Sequence, residues 1–165
     1  MKIISVGEMI LKKKAVAVTS FQDPALGVLI ECMIQTMYEL EGVGLAANQV
    51  GSSLDIFVMD VKDGRGPTIH INPKIISTSG EPMVDEEGCL SVKGIYDVVS
   101  RPSVVQFEYQ DLAGEKHAEI IDGGLRSRCV QHEIDHLNGR LFIDHFGPVK
   151  RDMLIRKFKK GQKRV

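Results

Sequence analysis

No apolar run in this sequence reaches the roughly 20 residues that a membrane-spanning helix needs, so no transmembrane segment is expected. The opening stretch MKIISVGEMI is broken by Glu8, too early for the apolar core of a secretory signal. Cysteine is scarce: three residues, an odd number, at positions 32, 89 and 129. That is not a disulfide framework, and a reducing compartment fits it best. Internal repeats and low-complexity segments are absent, and only six prolines interrupt a chain that is 43% hydrophobic. The 165 residues therefore predict one globular domain that buries roughly 70% of its unfolded surface.

Net charge is also nearly absent, at −1, but this hides an asymmetry. From Lys150 to Val165 there are eight Lys/Arg and one acid, Asp152, while the rest carries 13 bases against 21 acids. The division expected is a single domain over 1–148 and a basic C-terminal helix or tail over 149–165. Such a tail suits a polyanionic partner, or is a solvated terminal helix.

DPALGVLIECMIQTMYELEG predicts a helix with Asp23 as N-cap, Pro24 in the first turn and Gly42 as the stop. Leu26, Ile30, Met33, Met37 and Leu40 form its apolar stripe, with Cys32 beside them as core filler. LDIFVMDV (54–61), IHINPKII (69–76), YDVVS, SVVQFEYQ and EKHAEIID predict short strands, with a turn at DLAG. GGLRSRCVQHEIDHLNG predicts a second helix ended by Gly139. Helix, strands, helix and tail imply an α+β fold with mostly antiparallel sheet.

HEIDH within the second helix directs attention to a metal. Residues four apart share a helical face, so His132 and His136 can present imidazoles to one ion, with Glu133 beside them to handle a proton. A catalytic site wants a third protein ligand and one open position. The metzincin spacing would put a third histidine at 142, but that residue is Phe142. Cys129 shares the face, yet seven residues separate it from His136, roughly 10 Å of helix rise. Asp144 and His145 follow the helix closely and stay open as ligands. Cys89 in EEGCLS is the better candidate, because Gly88 beside it lets backbone approach an ion.

GVGLAANQ (42–49), EGCLS (87–91) and QHEIDH (131–136), in that order, together resemble peptide deformylase. The resemblance runs from the first helix through the HExxH helix. It implies antiparallel sheet around a central metal-binding helix, with Cys89, His132 and His136 as ligands. The ion implied is divalent: Fe²⁺ natively, with Zn²⁺, Ni²⁺ or Co²⁺ able to take the site. The implied reaction removes the formyl group from formylmethionine of nascent peptides, with Glu133 as proton carrier. The Gln49 side-chain amide and the Leu90 backbone N–H would steady the developing oxyanion. Gly44 would let the substrate backbone approach, and Val43, Leu125 and Cys129 would line the methionine pocket. Glu41, Glu87 and Arg101 match charged positions that support the ligand loop. A bacterial cytoplasmic location, or an organellar one after processing, goes with this. So does ribosome contact through the basic tail, with no membrane and no sequence-specific nucleic-acid binding.

The chain departs from the family pattern at substrate-facing positions. Lys93 stands where proline is usual, Tyr96 where some members have arginine, Arg128 where an aliphatic residue is common, and VGE (6–8) where Pro-Asp is usual. A charge at Arg128, one turn before His132, is expected to snorkel to solvent along its aliphatic stem; pairing with Asp97 or Glu87 is the alternative. Two other functions compete: an HExxH peptidase with Asp144 or His145 as third ligand, and a non-catalytic binding protein. Retention of Glu133 and Gln49 argues against the last, since binding alone needs neither.

Overall fold

Capping chemistry starts the first helix where the sequence indicates. Asp23 lies in extended backbone and its carboxylate accepts the Ala25 N–H at 2.9 Å. Pro24, with no N–H to leave unpaired, opens helix α1, Pro24–Glu39. The computed structural model describes residues 1–162. In it α1 ends before Gly42: Leu40 caps the helix, and Glu41 rather than the glycine takes the left-handed conformation at φ 55°. The Gly42 N–H then reaches back to the Met37 carbonyl. Leu26, Ile30, Met33 and Met37 are buried as their spacing predicts, whereas Leu40 is at the exposed end of the stripe.

Five strands form one antiparallel sheet in chain order: β1 Gly44–Ala46, β2 Ile56–Met59, β3 Thr68–Gly88, β4 Tyr96–Gln110 and β5 Lys116–Asp122. Two of these are much longer than the sequence suggests. IHINPKII only opens the 21-residue β3, and YDVVS and SVVQFEYQ are one 15-residue strand, β4. Proline was the misleading signal, since it cannot donate to a ladder and normally marks a strand end or bulge. Here Pro73 follows Asn72, which adopts φ 51° and hydrogen-bonds Val18 and Gln110, and the register shifts between Ile71 and Lys74. Pro82 faces Pro102 immediately after another shift. Bulges of this kind bend a ribbon without ending it.

Alternation along β2 places apolar side chains on both faces. Leu45, Ile56 and Val58 pack under α1, while Ala46, Phe57 and Met59 face the second helix, α2, Gly124–Leu137. Val105 and Phe107 of β4 complete that second layer with Cys129, Val130, Ile134 and Leu137. A third cluster joins Val92, Ile95 and Val99 to the turn Phe142–His145 and to Leu154 and Phe158 of α3, Pro148–Gln162. The basic C-terminal segment is thus a helix with one buried edge, and Lys150 bonds Asp97 at 2.8 Å. Residues 163–165 of the expected tail lie outside the described residues. No helix among the described residues is long and apolar enough to cross a membrane.

Phe57 joins the sheet to α2 and is fully buried. Phe57→Ala is expected to lower the unfolding free energy by about 3–5 kcal/mol, measured as a reduced denaturant midpoint with an unchanged slope.

Candidate metal centre

Helix α2 is unusual in burying polar groups along with its apolar ones. Ser127, Arg128, Gln131, Glu133 and His136 are all buried beside Cys129, Val130, Ile134 and Leu137. A buried polar atom is costly unless bonded, and most of these are. Ser127 Oγ donates to the Ser103 carbonyl at 2.7 Å, and Gln131 Nε2 donates to the Pro102 carbonyl at 3.0 Å. Among the described residues, Arg126 Nε is an exception near the start of the helix, and two more follow towards its other end: Glu133 Oε2 and His136 Nδ1 are buried with no hydrogen-bond partner.

These lie beside a cluster of three donors. Cys89, just beyond the end of β3, meets His132 and His136, and one donor atom from each lies within 4.8 Å of the others. Cys89 Sγ is 3.2 Å from His136 Nε2. A tetrahedral ion with bonds of about 2.0–2.3 Å sets its ligands roughly 3.5 Å apart, so this donor set fits one. Behind the cluster, His132 Nδ1 bonds Glu87 Oε2 at 3.0 Å, the kind of carboxylate contact that orients an imidazole for holding a metal. Asn48 donates its side-chain amide to the His136 carbonyl at 2.5 Å, tying this stretch of α2 to the Ala47–Val50 turn.

The electrostatics favour a cation here. Burial pushes the Cys89 thiol up, but the His136 and His132 rings outweigh it and bring it down to about 5. Burial lowers His132, yet its bonds to Cys89 and Glu87 dominate and raise it to about 10. Glu87 is held well below the usual carboxylate range, because His132 and Arg101 overcome the effect of burial. The pocket stabilises a thiolate, the form in which cysteine binds a metal. Burial raises Glu133, with His132 and His136 pulling the other way.

A cavity of about 630 Å³ opens onto the cluster, lined by Val43, Gly44, Gln49, Leu90, Leu125 and Cys129 together with Cys89, His132 and Glu133. The residues that the resemblance implies for the catalytic, substrate and metal sites therefore lie in this cavity or, for His136, in the donor cluster it opens onto. Gln49 is fixed in orientation: its Oε1 accepts the Ala46 N–H at 2.9 Å, so the NH₂ end faces Cys89 Sγ at 3.5 Å and Ser91 Oγ at 3.2 Å. Leu90 opens a 3₁₀ turn, so its N–H has no partner inside that turn. Cys129 Sγ points to the Val43 carbonyl at 3.6 Å, and burial raises its pKa well above the ordinary thiol value, which makes it inert wall.

Several expectations are corrected. Arg128 does not snorkel; it is 5% exposed and bonds Glu87 Oε1 at 2.7 Å, because Glu87 and two strand carbonyls supply acceptors inside. Asp97 is engaged by Lys150 instead. Glu41 is exposed and forms no ion pair among the described residues, so of the three expected supports Glu87 and Arg101 are the two that pair. Glycine at 88 serves a neighbour: a Cβ there would sit 2.4 Å from the Tyr96 ring. At Gly44 an added Cβ would sit 2.4 Å from Glu133 Oε1, a second reason for glycine there that leaves the expected approach of substrate backbone in place. Asp144 caps the Leu141 N–H and pairs with Arg151, and His145 bonds Asp135 at 2.7 Å, so neither joins the cluster. Phe142 is core.

Sequence inspection missed Asp135, whose carboxylate takes Arg101 Nη1 at 2.9 Å, and Ser91, which receives the Gln49 amide. Asp135 carried a faint signal as the acid directly before the second histidine. Ser91 carried none.

A family model described as polypeptide deformylase matches residues 1–152. A peptide deformylase of Rhodopseudomonas palustris (strain BisA53) is 47% identical over 146 residues, covering 86% of this chain and 81% of its own length. The crystal structure of a peptide deformylase from Legionella pneumophila superposes with a TM-score of 0.91 at 42% identity, over 98% of this chain and 95% of that one. A peptide deformylase from Synechococcus elongatus in complex with actinonin gives 0.87 at 38% identity, over 96% and 85%.

Metal analysis of the purified protein is expected to find about one ion per chain, and Cys89→Ala to lose most of it. A full complement of metal in that variant would move the third ligand elsewhere.

Proposed function

The chain belongs to the peptide deformylase family, and from that premise we propose how its own residues remove the formyl group from the formylmethionine of newly synthesised polypeptides. Cys89, His132 and His136 would hold one divalent ion, Fe²⁺ natively or Zn²⁺, Ni²⁺ or Co²⁺ in its place. When bound, that ion polarises the formyl carbonyl and makes water a competent nucleophile near neutral pH.

The remaining work falls to the chain. Glu133 takes the proton of the attacking water and passes it to the leaving amine as the C–N bond breaks, giving formate and a free N-terminus. Its burial and unpartnered Oε2 support this role, since a desolvated carboxylate with an open lone pair is a stronger base. The Gln49 NH₂ and the Leu90 N–H are suited to donate to the formyl oxygen as negative charge builds there. The bond from Ala46 N to Gln49 Oε1 supports the amide role, because it excludes the flipped orientation. Val43, Leu125 and Cys129 offer an apolar wall for the methionine side chain, and Gly44 keeps that wall clear of Glu133.

The observation that carries this reading is Cys89 meeting both histidines while Glu133 is buried alongside. It also disfavours the peptidase alternative, whose third ligand, Asp144 or His145, is bound elsewhere. A non-catalytic binder would need neither the unpartnered Glu133 oxygen nor the aligned Gln49.

The proposal extends to partners and place. Exposed Arg156, Lys157, Lys159 and Lys160 give α3 a basic outer face suited to ribosomal RNA phosphates, recognised by charge and without sequence readout. The three free cysteines agree with a reducing compartment, the bacterial cytoplasm or an organelle.

Formate release from formyl-Met-Ala-Ser, assayed anaerobically with added metal, tests the activity. Glu133→Ala should keep its metal and lose turnover by on the order of a hundredfold or more; near-normal rates would place the base elsewhere. Ribosome cosedimentation should weaken with salt and on reversing the charges of Lys157 and Lys160, and indifference to both would remove the ribosome from this account.

A further inference from the structure

We propose that Arg128 is a positioning residue for the metal site, riveting the ribbon that carries Cys89 to the helix that carries His132 and His136. This rests on the ligand assignment above.

The three donors come from two separate elements. Cys89 follows the last residue of β3, whereas both histidines belong to α2. A fixed coordination geometry therefore requires the ribbon end to be held against the helix. Arg128 lies one turn before His132 and projects from the same side of α2. Its Nη1 donates to Glu87 Oε1 at 2.7 Å and to the Val99 carbonyl at 3.0 Å, and its Nη2 donates to the Met83 carbonyl at 2.7 Å. Every one of these acceptors is on the β3–β4 ribbon and none is on α2. A charge this deeply buried is costly unless satisfied, and all of its satisfaction comes from across the gap.

The same guanidinium reaches a ligand through Glu87. Glu87 Oε1 is shared by Arg128 Nη1 at 2.7 Å and Arg101 Nε at 2.6 Å. Oε2 accepts from Arg101 Nη2 at 3.0 Å and meets His132 Nδ1 at 3.0 Å. Held on both oxygens, the carboxylate cannot rotate away from the imidazole. Arg101 cannot replace Arg128, because its remaining nitrogen is spent on Asp135 at 2.9 Å. Lysine cannot either: one ammonium has no planar fork with which to reach a carboxylate and two carbonyls on different strands.

The test uses the full chain loaded with Co²⁺, following the visible absorption bands of the bound ion and their loss to a chelator. Arg128→Met keeps the length of the stem without the fork, and is expected to release Co²⁺ roughly 10–100-fold faster. Arg128→Lys should fall between Met and the parent. With metal saturating, KM for formyl-Met-Ala-Ser should stay within a few-fold of the parent in both. Release as slow as the parent's in the Lys and Met variants overturns the proposal. So does a raised KM with unaltered release, which would make Arg128 only a pocket wall. Should Arg128→Met fail to fold, the Lys variant decides alone, by faster release or by parental release. If the parent itself binds no Co²⁺, the ligand assignment falls and this proposal with it; if the parent binds and the variants hold it equally well, only this proposal falls.

Discussion

The Glu87 carboxylate, enclosed by two guanidiniums and an imidazole, is the constraint on which the site depends. It sits near the end of β3, two residues before Cys89, and receives Arg101 from β4 and Arg128 and His132 from α2. Strand, neighbouring strand and helix therefore converge on one anion. Burying that anion is acceptable only because every lone-pair direction is used, by partners that are mostly charged. The arrangement is two-sided in consequence. The carboxylate neutralises the arginines that bring the ribbon to the helix, and it orients the ring of a residue assigned as a metal ligand.

Around this anchor the fold divides its labour. The β1–β2 corner, apolar on both faces, supplies the packing between α1 and α2. The far end of the β3–β4 ribbon departs from that corner and trades apolar burial for charged contacts with α2. Its bulges allow one pair of strands to serve both purposes, flat in the sheet and then bent over the helix. Gly44 and Gly88 sit where the two parts meet. Neither has a left-handed φ; each is small because a Glu133 carboxylate or a Tyr96 ring occupies the space a Cβ would need.

The charged groups on α2 explain why a helix of such low apolar content can be central. Four apolar side chains, Cys129, Val130, Ile134 and Leu137, hold it to the sheet. Its opposite side is a polar core in which nearly every group is answered by backbone or by an ion pair. Of its buried atoms without a partner, Arg126 Nε is near the start of the helix, whereas Glu133 Oε2 and His136 Nδ1 are at the assigned catalytic site, where unmet polar capacity belongs.

Much of this was legible from the chain alone. Helical spacing put His132, Glu133 and His136 together because that relation lies within five residues and is fixed by the 3.6-residue turn. Asp23 and Pro24 marked the start of α1 by equally local chemistry. The glycine beside Cys89 pointed to that residue, and the resemblance to a family supplied Gln49 and Leu90, which spacing could not. Local rules failed where distant segments intervene. Pro82 and Pro102 lie beyond the expected strand ends, yet they face each other within the β3–β4 ladder. Gly42 looks like the helix stop, yet Glu41 takes the left-handed turn. Arg128 is the clearest instance. Its sequence neighbours offer no acceptor, so an exposed head was the reasonable expectation, and only the approach of Met83, Glu87 and Val99, each at least 29 positions away, gives the charge a place inside. Which side chains share a helical face could be read from residue order, since i to i+4 geometry is local. Tertiary structure decided which charges are buried, since the cost of burial depends on partners that only folding brings within hydrogen-bond distance.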